Sequence, residues 1–137
     1  MADLDVSLVA MDRLLWQGKA RIVVATTVAG DIGILPGHEP VLALLGTDTV
    51  RIEAADGQTV RAAVHRGFFS VAEDRVAILA ETAELDTEID VERARRALDR
   101  IRADGSGDRI EKDAELRARA RLKAAIGVEH QSMLPGA

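Results

Sequence analysis

Residues 75–101, RVAILAETAELDTEIDVERARRALDRI, hold two different periods in one stretch. Arg75 to Ala80 is an apolar run that faces Phe68 to Ala72 across Glu73-Asp74, the pattern of two strands joined by a tight reversal. From Ile89 the period changes. Val91, Ala94, Leu98 and Ile101 are spaced three, four and three apart, one stripe of an amphipathic helix. Asp90 stands just before that stripe, where its carboxylate can accept from the free N–H groups of a first turn. A chain that passes once from strands to helices has an α+β organisation.

Upstream of this junction the chain reads as strands. Leu4, Val6 and Leu8 alternate with Asp5, Ser7 and Val9. Arg21 to Val28 is β-branched and apolar, as a strand buried on both faces would be. Val50, Ile52 and Ala54 alternate with Arg51 and Glu53, and Asp56-Gly57 turns the chain into Val60 to Val64. Strands at this spacing predict a sandwich or small barrel. With Trp16, Phe68 and Phe69 the only aromatics, its core must be Val, Ile, Leu and Ala.

Downstream, Asp104-Gly105-Ser106-Gly107-Asp108 ends the helix, and Ile110, Ala114, Ala118, Leu122 and Ala125 form a second stripe that stops at Gly127. Two helices on so short a loop are expected to run antiparallel. Nearly half the stripe positions are Ala, and each larger apolar residue contributes only about 1.5–3 kcal/mol when fully buried. Ordering the backbone costs about 1–2 kcal/mol per residue, so the hairpin is expected to depend on docking to the β domain, a ligand or a partner. The predicted organisation is an N-terminal flattened antiparallel β-sandwich over residues 1–85, a C-terminal antiparallel two-helix hairpin over 86–128, and a disordered tail over 129–137.

Charge divides at the same place. Of the net −5 carried by 137 residues, the first 85 hold all of it, with seven Lys/Arg against twelve Asp/Glu. The remaining residues balance eleven against eleven. An acidic globular part argues against nonspecific nucleic-acid binding, which needs a basic face. Without cysteine there is no disulfide framework, thiolate metal site or thiol nucleophile. No apolar run approaches the ~20 residues of a membrane span, and the acidic start, Met1 to Asp5, is unlike a secretory or transit leader.

Two groups of residues invite a chemical reading. Asp31, His38 and Glu39 crowd into GDIGILPGHEP, residues 30–40, as a metal or acid–base set would, or as a rigid loop fixed by Gly and Pro. On the helices, Arg93 and Arg100 are seven apart, and Arg117 and Arg121 are four apart. Guanidinium forks suit phosphate oxygens, so facing Arg pairs could hold a triphosphate; a solvated face laced with Asp and Glu is the other reading. His65 and His130 have no triad-like surroundings, and no hydrolase or phosphate-loop signature occurs.

GDIGILPGHEP, preceded by Trp16-Gln17-Gly18 and followed by Gly67 to Val71 and Ile78 to Ala83, resembles the epsilon subunit of bacterial F-type ATP synthase. The resemblance runs in order from Leu4 to Val128. It implies a rotor component of the central stalk and not an enzyme in itself, peripheral at the cytoplasmic face of the bacterial membrane. The β domain would bind the gamma subunit and rest on the ring of c subunits, with Gly30, Asp31 and Ile32 matching the loop that faces that ring. The hairpin would either fold on the β domain or extend into the alpha/beta catalytic head and inhibit ATP hydrolysis. Some members hold ATP, as a regulatory ligand and not a required cofactor, through Ile/Leu-Asp-x-x-Arg-Ala. Ile89, Asp90, Arg93 and Ala94 match that pattern here, and Glu84, Arg100, Arg117 and Arg121 match further ligand positions. The alternatives are a module whose main act is sensing ATP, and a β-sandwich enzyme using His38 with Asp31 or Glu39.

Overall fold

The computed structural model describes residues 2–104 and 109–126. Six strands come first: β1 (Leu4–Ala10), β2 (Arg13–Thr27), β3 (Gly30–Ile34), β4 (Val41–Ala54), β5 (Thr59–Ala72) and β6 (Arg75–Leu85). A short 3-10 turn, Asp86–Glu88, leads to helices α1 (Val91–Asp104) and α2 (Arg109–Ile126). The tail after 128, the interhelical loop and Gly127 lie outside the described residues.

The strands pair in the order β1-β6-β5-β4-β2-β3, and β2 also pairs with β1, which closes the sheet on itself. The long β2 makes this possible, because its first half pairs with β1 and its second half with both β3 and β4. One pairing departs from the expected antiparallel sandwich: β1 and β6 run parallel, as two strands far apart in sequence may when closure brings them together. The Arg21–Val28 run is part of a longer strand and is not buried equally on both sides. Ala20, Val23 and Ala25 are fully buried, while Ile22 and Val24, on either side of Val23, are only half-buried. The register slips at Arg21, and that extra residue moves the inward phase from even to odd positions.

Val60–Val64 and Phe68–Ala72, which read as two strands, are one. Their separate phases come from a break in alternation at Arg66, whose φ is +60°. Val60, Ala62 and Val64 face the core before it, and Phe69 and Val71 after it. The neighbouring ladders skip residues in the same row, Gly46 on β4 and Glu81 on β6. This row divides the outer face of the sheet into two surfaces.

Helix α2 covers one of them. Ala120 and Ala124 pack on Ala63 of β5 and on Ile89, while Ala118 and Leu122 pack on Ala94 and Leu98 of α1. The predicted second stripe therefore holds only in part. Ala118 and Leu122 are buried, but Ile110 is 78% exposed, and Ala120 and Ala124 are buried where a single stripe has no place for them. A helix caught between a sheet and another helix buries two faces, which a one-stripe pattern does not describe. Asp90 caps α1 as expected: its Oδ1 accepts from Arg93 N–H at 3.0 Å.

Candidate functional site: an arginine-lined cleft at the joint

The Ala-lined contact between α2 and the sheet is flanked by ion pairs. Arg121 Nε donates to Glu84 Oε1 at 2.6 Å, Lys123 Nζ to Asp48 Oδ1 at 2.8 Å, and Arg66 to Asp113 at 2.9 Å. Alanines offer little apolar area, so the docked position relies on partly exposed pairs of modest worth.

At the end of this contact the last residues of β6, the start of α1 and the middle of α2 enclose a cleft of about 390 Å³. Glu84, Asp90, Arg93, Ala94, Arg100 and Arg121 line it, with Glu88 and Ala97. Arg93, Ala97 and Arg100 share one face of α1 by their spacing of four and three, and the two alanines leave the space open. Every carboxylate here has an occupation. Glu84 holds Arg121, and Asp90 caps α1. Glu88 is gripped by both terminal nitrogens of Arg13, at 2.7 and 2.9 Å, and accepts from Leu85 N–H at 3.0 Å. The Arg13 hydrogen bond, followed by the Leu85 N–H, holds the Glu88 carboxyl below the usual carboxylate range. Arg93 and Arg100, by contrast, have no ion pair or side-chain hydrogen bond among the described residues. Two uncommitted guanidiniums face this small cleft with a third at its wall, and guanidinium forks of this kind suit phosphate oxygens.

Six of the eight residues singled out for nucleotide binding thus line one cleft. The other two do not. Ile89 is buried in the docking contact, and Arg117 is not among the lining residues, though its charge is near enough to act on His65.

The turn before β3 is placed differently. Gly30 and Asp31 are exposed on β3, an edge strand, with Ile32 half-buried. Thr26 Oγ1 donates to Asp31 Oδ1 at 2.7 Å, and Thr27 Oγ1 donates to the Gly30 carbonyl at 2.8 Å, so this turn is held from below and open above. The His38 ring pairs through Nδ1 with the carbonyl of Glu39 at 2.7 Å, and Gly37 N–H donates to Asp74 at 2.7 Å. Among the described residues no cluster of His, Asp and Glu is arranged to hold a metal ion, and none of these contacts forms an acid–base pair.

One surface was missed in the sequence. Leu44, Phe68 and Leu79 are direct cross-strand neighbours on β4, β5 and β6, all outward and about half exposed. They line a groove of about 880 Å³ with Val9, Met11 and Val28. The signal was present: Val41-Leu42-Ala43-Leu44-Leu45 and Phe68-Phe69 put apolar side chains on both faces of a strand, and only one face can belong to the core.

A closed β-sheet domain bearing a docked helical hairpin, with an arginine-lined cleft at their joint, is the class defined by this geometry. Residues 3–86 match the family described as ATP synthase, Delta/Epsilon chain, beta-sandwich domain. The ATP synthase epsilon chain of Streptomyces coelicolor is 50% identical over 126 residues, covering 92% of this chain and 98% of that one. The epsilon chain of Thermobifida fusca is 53% identical over 129 residues, covering 92% and 94%. Among solved structures, a chain of the Euglena gracilis mitochondrial ATP synthase, OSCP/F1/c-ring in rotational state 1, matches 93% of this chain and 83% of its own length, with a TM-score of 0.79 and 26% identity. A chain from the Tetrahymena thermophila mitochondrial ATP synthase shares the fold at a TM-score of 0.57 and 16% identity. The chain belongs to the ATP synthase epsilon chain family. No helix among the described residues is long and apolar enough to cross a membrane.

Proposed function

We propose that this epsilon chain is a non-catalytic part of the central stalk that couples rotation to ATP synthesis and restrains ATP hydrolysis through its hairpin. The observation that carries this reading is the division of the outer sheet face. One half holds α2 through alanines and ion pairs, and the other leaves the Leu44–Phe68–Leu79 row open. The open row suits a lasting apolar interface, and its occupant in this reading is the gamma subunit. The turn at Gly30–Asp31–Ile32, exposed at its first two residues, suits the polar loops of the c-ring, which would put the chain at the cytoplasmic face of the membrane as a peripheral subunit.

The thin contact suits a hairpin that moves between two dockings separated by a few kcal/mol, one on the sheet and one in the alpha/beta head. ATP is the regulatory ligand in this reading. Its phosphates would meet Arg93 and Arg100 of α1 and Arg121 of α2, bridging both helices, and binding to the folded state alone would hold the hairpin down.

Three measurements test this. The full chain co-purifies with a gamma subunit in near-stoichiometric amount, and failure to do so removes the stalk assignment. Deleting residues 86–137 leaves assembly intact and raises ATP hydrolysis; loss of assembly would show that coupling is not confined to the β domain. Isothermal titration gives heat with ATP for the wild type and much less for Arg93→Ala. No heat at millimolar ATP removes the nucleotide from the scheme while leaving the rotor assignment standing.

A further inference from the structure

His65 has no part in the cleft or in the open apolar row. It lies on β5 beneath α2, is only 5% exposed, and neither ring nitrogen has a hydrogen-bond partner among the described residues. Thr47 of β4 and Thr82 of β6 are its neighbours in the ladder. The charged groups that act on it are Arg121 and Arg117 from α2 and Glu84 from β6. The other charges at this contact are engaged with one another: Asp113 of α2 with Arg66 of β5, and Lys123 of α2 with Asp48 of β4. Glu84, the one carboxylate among the described residues that acts on the ring, is already held by Arg121 at 2.6 Å. The docked hairpin therefore seals a polar, titratable ring into a slot with two guanidiniums nearby and no free counter-ion. An aliphatic side chain would fill such a slot without leaving two nitrogens unpaired.

We propose that His65 makes hairpin docking sensitive to acid: the ring must be neutral for α2 to lie on the sheet, and its protonation releases the helices.

The electrostatics agree in direction. Burial, then Arg121, and finally Arg117 lower the pKa of the docked ring from 6.5 to about 4, with Glu84 opposing them. When α2 leaves, the burial and both guanidiniums leave with it, and the ring returns towards its ordinary value. Because the docked value is the lower one, the histidine's support for docking is complete above about pH 6.5 and is lost as pH falls towards 4. Between pH 7.5 and 5.5 the ratio of released to docked hairpin rises about tenfold. Most carboxylates titrate below this window, so a change within it points to a histidine, and the uncharged variants of His65 separate this ring from His38 and His130. The inference rests on the docked hairpin alone and stands whether or not ATP binds the cleft.

The chain has no cysteine, so Gln58→Cys and Lys112→Cys, both at exposed positions, can carry a donor and an acceptor dye. Energy transfer is read at the urea concentration that half-releases the hairpin at pH 7.5. Lowering the pH to 5.5 is expected to reduce the docked fraction of the wild type from half to about one-tenth, reversibly. His65→Gln and His65→Leu, which cannot take a charge, keep their docked fraction across the same window. Separately, the imidazole carbon resonances of His65 in the native chain titrate well below pH 6.5. A wild type that holds its docked fraction between pH 7.5 and 5.5 overturns the proposal. So do uncharged variants that lose it in parallel, or a ring that titrates near 6.5 while the hairpin stays docked.

Discussion

The Arg121 guanidinium reaches the Glu84 carboxylate at 2.6 Å, tying the middle of α2 to the last strand of the sheet. The same arginine lines the cleft between the helices, so one side chain belongs both to the latch and to the proposed nucleotide site. Each partner is about one-third exposed, which limits the pair to about 1 kcal/mol. Glu84→Gln should therefore weaken docking slightly, seen as faster amide exchange in α2 with the β domain unchanged. Arg121→Leu should do the same and also remove a cleft cation. Saturating ATP at a hundred times its Kd should protect the wild-type helices by about 2.7 kcal/mol and protect this variant much less. Equal protection of both would mean that Arg121 takes no part in binding.

Phe68 and Phe69 are adjacent and face opposite ways. Phe69 is fully buried in the core, whereas Phe68 is 51% exposed between Leu44 and Leu79. Phe69→Ala should cost about 3–5 kcal/mol in denaturant unfolding. Phe68→Ser should leave stability within about 0.5 kcal/mol of the wild type and reduce co-purification with gamma. If Phe68→Ser unfolds the domain or leaves gamma binding intact, the open row is not the interface.

Gly67 follows the break at Arg66 with a φ of +151°, and a Cβ there would run into the carbonyl oxygen of Leu79, with Ala80 Cα at 2.8 Å. Backbone cannot step aside as a flexible side chain can. Gly67→Ala should destabilise the β domain by more than the ~1 kcal/mol of an ordinary glycine effect, measured by urea unfolding. A neutral result would mean that the β5–β6 ladder is looser than its pairing.

The division of the chain into strands and helices was legible in local pattern, because alternation and the 3.6-residue period are written by near neighbours. The turns at Asp56-Gly57 and Glu73-Asp74 and the cap at Asp90 were legible for the same reason: each depends on the backbone within a few residues. The long strands were not. Arg66 breaks the alternation of β5, so one strand reads as two, and the skip is meaningful only beside the matching skips at Gly46 and Glu81. The burial of Ala120 and Ala124, and the exposure of Ile110, depend on what lies against α2.

The site divides in the same way. Asp90, Arg93, Ala94 and Arg100 could be placed near one another from one helix, and a family pattern named them. That Glu84 and Arg121 join them, while Ile89 is buried under α2 and Arg117 stays outside the lining, was settled by the docking of α2. Sequence by itself determined the two-part architecture, the Ala-thin hairpin and the arginine supply, since these follow from residue type and short-range period. Tertiary structure alone decided which sheet face is covered, which apolar row stays open, and which arginines remain unpaired. Those outcomes depend on which surfaces meet across long sequence separations, and neither composition nor period encodes that meeting.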